Sequence, residues 1–271
     1  MNAVFSFWSK RFKETGKVHA TVNNPVFLNS WILSVNLAKQ FFPKVILYTD
    51  NFGFDMLVNN LGLQFDEVNL CLNDLDNIPS YLWAYGKIIT YQDQKEPFIH
   101  IDYDAFLFDQ LPQKFLSSDI FVESFESFAN YHFYQPHLRN LFREGYSNPF
   151  VYPSDKINYA YNCGIFGGND LDFIKFYTFQ ALQVADFMKD NNFHKMIYPD
   201  YLSIIFEQSA LAYCLDFWKL KPNLLIDDIV GIPIIPYTHL KGSKGKPGMN
   251  EKILNKINLL FPKLNESLKV A

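Results

Sequence analysis

The chain has 271 residues, and 24 Lys plus Arg set against 28 Asp plus Glu leave a formal charge of −4. With 49% hydrophobic and 19% charged residues it falls outside the disordered class. A mildly acidic chain whose arginines are Arg11, Arg139 and Arg143 is not a phosphate-backbone binder, so nucleic acid is no expected partner.

Ala3 to Ser9 (AVFSFWS) reads as a first buried strand. Pro25 opens a helix whose apolar positions Phe27, Trp31, Val35 and Leu37–Ala38 run to the stop at Phe41, Phe42 and Pro43. Lys44 to Asp50 is a β-type run, Phe54 to Leu61 a helix closed by Gly62, and Phe65 to Leu70 a further strand. Pro79 to Tyr91 places Tyr81, Leu82, Tyr85, Ile88 and Ile89 on one helical face, and Pro97 to Ile101 (PFIHI) is again a strand. This alternation predicts an α/β fold, a mainly parallel central sheet flanked by helices, in one domain over residues 1–250. Such sheets bind ligands beyond the carboxyl ends of their strands.

Downstream, Asp119 to Ser124 reads as a strand, and the segment to Tyr152 is crowded with aromatic and short polar residues. Asp170 to Met188 and Tyr198 to Leu215 read as helices, and Pro233 to His239 as an extended stretch before KGSKGKPG. Residues 251–269 form a Lys-bearing amphipathic helix, so 251–271 are expected to pack on the main domain or to be appended to it. Aromatics reach 18%, an excess that points to a dense core, a surface that stacks on flat ligands, or both. Cys71, Cys163 and Cys214 lack metal-ligand spacing and fit free thiols in a reducing compartment. The start MNAVFSFWSKRFKETG shows no signal-peptide pattern, and no run approaches the ~20 apolar residues that span a bilayer. A soluble, cytoplasmic protein without a transmembrane segment is expected.

Three Asp-x-Asp triplets occur in different contexts. Asp74 and Asp76 lie in a polar loop, whereas Asp170 and Asp172 sit where a helix begins and carboxylates favour the macrodipole. Asp102-Tyr-Asp104 alone follows a buried-strand pattern and precedes another apolar run, AFLF. Two carboxylates at the rim of a low-dielectric core repel one another unless a cation lies between them. Hard oxygen ligands suit Mg²⁺ or Mn²⁺, with substrate phosphates completing the shell; a solvated strand end is the alternative. Further on, Tyr237 to Pro247 (YTHLKGSKGKP) brings His239 together with three Lys and two Gly. Gly lets amides approach an anion and Lys supplies charge for phosphate. The stretch reads either as a solvated loop or as a phosphate cradle, and His239 either as a hydrogen-bonded residue or as a third metal ligand.

Taken together, these segments resemble nucleotide-sugar-dependent glycosyltransferases of the GT-A fold, in particular the retaining group that includes glycogenin and the bacterial lipopolysaccharide galactosyltransferases. Three segments carry the resemblance, in the family's order: Asp102-x-Asp104 after a strand, Asn162-Cys-Gly164-Ile-Phe-Gly-Gly168, and a late His239-x-x-Gly242 followed by Lys246-Pro247. The resemblance spans residues 3–248. It implies a Rossmann-like GT-A domain that moves a sugar, with retention, from a nucleotide diphosphate sugar (a UDP-hexose in the family) to a glycan or lipid-linked hydroxyl acceptor, as in polysaccharide biosynthesis.

The same resemblance implies Mn²⁺ or Mg²⁺ on Asp102, Asp104 and His239, and donor contacts from Lys87, Asp102, Gly242 and Lys246. Lys246 would face the diphosphate. Three residues separate it from Gly242 where the family has two, which makes Lys244 a rival, and Gly248 replaces the family's Trp. Glu207-Gln208 stands for the family's Asp-Gln pair beside the reacting sugar, Lys87 for its Arg, and Asn162 is expected to point toward the sugar pocket. Glu207, Gln208 and Asn162 are therefore the expected catalytic residues.

Breaking the anomeric bond puts negative charge on the leaving oxygen, for the metal and Lys246, and positive charge on the ring, for Glu207 or Gln208. Glu123 and Glu126 are alternative acids on the acceptor side. Some of the rings of Phe125, Phe128, Tyr131, Phe133, Tyr134, Tyr146 and Tyr152 are expected to line the acceptor cleft. Two other classes compete: a non-catalytic GT-A-like domain that binds a glycan or nucleotide, and a haloacid-dehalogenase-type phosphohydrolase. The latter also uses Asp-x-Asp after a strand, but near its N-terminus and before Gly or Thr rather than Ala105-Phe106. The C-terminal helix, with Ile253, Ile257 and Leu260 beside Lys252, Lys256 and Lys263, is either a peripheral contact with the inner face of a membrane or packed on its own domain.

Overall fold

Side chains alternate across a strand, and the first strand already separates the two faces of the sheet. In β1 (Asn2–Phe7), Ala3, Phe5 and Phe7 enter one core and Val4 the other. The computed structural model describes residues 1–14, 23–151, 157–191, 193–195 and 199–264. β2 (Val45–Thr49), β3 (Glu67–Asn69) and β4 (Phe98–Ile101) run parallel to β1 in the order β3-β2-β1-β4. β5 (Ala105–Leu107) leaves the sheet, and β6 (Ile120–Ser127) and β7 (Tyr159–Gly168) extend it, β7 lying antiparallel between β4 and β6. β8 (Asn223–Leu224) forms the seventh strand, parallel to β6, and β9 (Tyr237–His239) pairs with β5 in a separate two-stranded sheet. The fold is α/β, a mostly parallel sheet flanked by helices in a single compact domain, as the alternation of segments predicts.

Among the described residues, six principal helices cover the faces. One core takes helices α1 (Pro25–Phe41) and α6 (Met249–Leu260). The other takes α2 (Tyr85–Gln92), α3 (Tyr134–Arg143), α4 (Leu171–Asp190) and α5 (Ala210–Trp218). Helix α1 begins where Asn24 accepts the amides of Val26 and Phe27, with Pro25 at its first position. Ile253 and Ile257 of α6 are buried, so this helix packs on the domain.

Some expectations shift. The helix read over Pro79–Tyr91 starts only at Tyr85, because tertiary bonds take its first turn: Ser203 Oγ accepts the Ala84 amide at 3.2 Å and donates to the Tyr81 carbonyl at 3.1 Å. The segment read over Phe54–Leu61 is a π-helical turn, Asp55–Asn60, entered through a short helix. Helix α3 and most of β7 carry no signal strong enough to separate them from the aromatic crowd around them. Tyr198, Tyr152, Gly16 and residues 265–271, on which parts of those readings rest, lie outside the described residues. No helix among the described residues is long and apolar enough to cross a membrane.

Candidate metal centre and cleft

The strand order reverses between β1 and β4, and beyond the carboxyl ends of these strands lies a cavity of about 590 Å³. Asp102 follows β4 directly. Its amide donates to the Gly164 carbonyl at 2.9 Å, and the Ala105 amide turns back to the Asp102 carbonyl at 2.9 Å, so the chain leaves the sheet as β5. β5 pairs with β9 so that Ala105 stands opposite His239, and the Leu240 amide closes on the Asp104 carbonyl at 3.0 Å. Two three-residue strands thus bring a distant histidine to the aspartates. One ligand atom from each of Asp102, Asp104 and His239 lies within 4.8 Å of the other two.

Lysines balance the carboxylates. Lys87 is buried, with its Nζ 2.8 Å from Asp102, 2.7 Å from Glu207 and 3.0 Å from the Cys163 carbonyl. Burial opposes its charge, but Asp102 and Glu207 outweigh it and hold Lys87 above its ordinary value. Glu207 is fully buried, and burial raises it in spite of Lys87. Lys244 Nζ lies 2.9 Å from Asp104 Oδ2 and donates to the Tyr103 hydroxyl at 2.9 Å. Burial disfavours the Asp104 carboxylate, yet His239 and Lys244 hold it well below the ordinary carboxylate range. His239 is likewise opposed by burial, but the neighbouring Asp104 and Glu123 carboxylates, the latter hydrogen-bonded to Nδ1, raise it to about 9. His100, buried and beside Lys87, is pushed well down and is neutral; its Nε2 shares a 2.9 Å hydrogen bond with the Ser6 hydroxyl. Two hard carboxylates and an imidazole nitrogen at this spacing form a donor set suited to Mg²⁺ or Mn²⁺.

A family model matches residues 1–232, well over half of the chain. The chain belongs to a family of unknown function, DUF6734. No curated protein matches it. The family match takes in both aspartates and ends before His239, Lys241 and Lys244.

In this DUF6734 chain the cleft wall includes Lys87, Asn162, Glu207, Gln208 and Gly242, all singled out in the sequence. Of the two lysines that rival one another for the anion, Lys244 lines the cleft, whereas Lys246 is exposed and is not among its lining residues. Asn162 donates to Glu126 at 2.8 Å and accepts the Gly164 amide at 2.9 Å. The Tyr134 hydroxyl lies 2.7 Å from both Glu126 and Gln208 oxygens; its single proton serves one at a time. Glu126 reaches the cleft, while Glu123 is fully buried beneath His239.

Of the aromatic segment, Tyr131 and Phe133 line the cleft; Phe128, Tyr134 and Tyr146 are buried, and Phe125 is partly exposed elsewhere. Sequence reasoning missed Trp8 and Arg11, which follow β1 and which the carboxyl-end rule would find, and Trp83 and Tyr201, which only the packing brings in; Lys241, one of the three Lys of the candidate cradle, also lines the cleft. Phe133 and Tyr201 stack at 4.6 Å and 8°. Lys241 holds a positive φ of 39°, a region that disfavours side chains, while its Nζ is anchored 2.9 Å from Glu123.

Proposed function

We propose that the protein is a metal-dependent glycosyltransferase of the GT-A type, which moves a sugar from a nucleotide diphosphate sugar, such as a UDP-hexose, to a hydroxyl acceptor. The observation that carries the reading is the convergence of Asp102, Asp104 and His239 beside Lys244, at the carboxyl end of a parallel sheet. A cleft of about 590 Å³ falls within the usual range for small-molecule sites.

Asp102, Asp104 and His239 would hold Mn²⁺ or Mg²⁺, which when bound supplies a Lewis acid for the diphosphate oxygens. Lys244 adds a positive charge for the departing diphosphate. The Gln208 amide oxygen or the Glu207 carboxylate held by Lys87, both lining the cleft, would face the positive charge that develops on the sugar ring. With retention, the acceptor hydroxyl attacks from the leaving-group side and gives its proton to the departing phosphate. Tyr131, Phe133 and Tyr201 offer ring faces to a glycan or lipid-linked sugar acceptor. A cytoplasmic location, at the inner face of a membrane where the acceptor is lipid-linked, belongs to the same reading.

The test is incubation with Mn²⁺ and a panel of nucleotide sugars, following nucleoside diphosphate release. Metal-dependent release from one donor is expected; no donor binding with or without metal overturns the reading, and phosphate release from simple phosphomonoesters would favour a phosphohydrolase instead. Asp104→Ala should abolish metal-dependent donor binding. Gln208→Ala should leave donor binding intact and lower turnover about 100-fold, the scale of losing one transition-state contact.

A further inference from the structure

Glu123 stands at the register shift in the pairing of β6 with β7. Val122 faces Phe166 and Ser124 faces Asn162, so Glu123 alone opposes residues 163–165. Bulges of this kind re-aim a side chain at a site. The carboxylate is fully buried and engaged by His239 Nδ1 at 2.6 Å, the Tyr237 hydroxyl at 3.0 Å and Lys241 Nζ at 2.9 Å. Gly164 provides the room, since an added Cβ there would overlap both the Glu123 carboxylate and the His239 ring. Asn162 in turn fixes Gly164 by accepting its amide.

An ionised carboxylate only accepts hydrogen bonds, so it keeps a proton on Nδ1 of the imidazole it touches. Nε2, on the other side of the ring and 3.6 Å from Asp104 Oδ1, is then the nitrogen offered to the two aspartates. We infer that Glu123 is the positioning residue of the metal centre: it sets the tautomer and orientation of His239, with Gly164 as the small residue that lets the two meet. The inference rests on the metal-centre reading above and adds to it a role for a residue that sequence reasoning had placed on the acceptor side. Carboxylates in this position behind a ligating histidine tune affinity by 10–100-fold.

The test is Mn²⁺ titration of the full chain without nucleotide, reading free Mn²⁺ by electron paramagnetic resonance. Glu123→Leu, which removes the acceptor, should weaken binding roughly 10–100-fold. Gly164→Ala should weaken it in the same direction with every charge retained. Glu123→Gln keeps an acceptor for Nδ1 and should recover most of the affinity; a merely structural role would leave it as weak as Glu123→Leu, and that result overturns the inference. Wild-type affinity in Glu123→Leu also overturns it while leaving the metal centre standing, whereas absence of Mn²⁺ binding by the unaltered protein overturns both. Should the variants not fold, ¹⁵N-histidine spectra of the unaltered protein with diamagnetic Mg²⁺ decide. With Mg²⁺ saturating, a proton on Nδ1 of His239 and none on Nε2 is expected, and the opposite tautomer sinks the idea.

Discussion

Lys87 joins the two acidic sites of the cleft, Asp102 at the metal centre and the fully buried Glu207. A carboxylate left in the interior without its cation is expensive to bury, on the order of 3–5 kcal/mol. Lys87→Met should therefore lower stability by about that amount in urea unfolding, and adding Glu207→Leu should recover most of the loss, because the stranded charge is gone. A double variant as unstable as the single one would show that packing, not charge, is lost. His239 gives a second residue-scale expectation. Its imidazole is raised to about 9, so at neutral pH it carries a proton on the nitrogen a metal needs. Binding must release that proton; Mn²⁺ affinity should rise about tenfold per pH unit from 7 toward 9 and then level off. A flat profile over that interval would place His239 outside the ligand set.

The site depends most on the smallest elements. β5 and β9 are three residues each, yet their pairing sets His239 opposite Ala105, beside the Asp-x-Asp turn. The sequence shows β5 as the apolar run AFLF and β9 as the end of an extended stretch, but nothing in either run names the other as its partner. Helix α4 was legible at its start: Asp170 accepts the Phe173 amide at 2.9 Å, the N-cap role that its place before an apolar helix predicts. Asp170→Ala should cost about 1 kcal/mol in thermal or urea unfolding and leave metal binding unchanged. Helix α6 shows the two-sided character of amphipathic helices. Its buried Ile257 lies against the core that α1 shares, so Ile257→Ala should cost roughly 2–5 kcal/mol, a loss that a helix lying free on a membrane would not show.

Across the molecule, the sheet is closed by two apolar cores, one on each face, and neither contains the metal centre. Folding should therefore not require the ion: a chelator should leave the apo unfolding midpoint unchanged, while Mn²⁺ at 100 times its dissociation constant should add about 2.7 kcal/mol. A chain that unfolds on chelation would make the ion structural instead. The aromatic excess divides along the same lines. Trp31, Tyr91, Tyr134, Tyr177 and many Phe are fully buried, whereas Trp8, Trp83, Tyr131, Phe133 and Tyr201 turn to the cleft.

What the sequence determined by itself is the alternation of strands and helices through the first hundred residues, and the singular context of Asp102 and Asp104. Both are local: periodicity reports which face of an element is buried, and a polar pair interrupting apolar runs marks the end of a strand. Tertiary structure alone decided that β7 inserts antiparallel beside β4, that Lys244 rather than Lys246 reaches the cleft, and that Glu123 lies behind His239. Those outcomes rest on pairings between residues far apart in the chain and on the space left at Gly164, and neither quantity has a local signature.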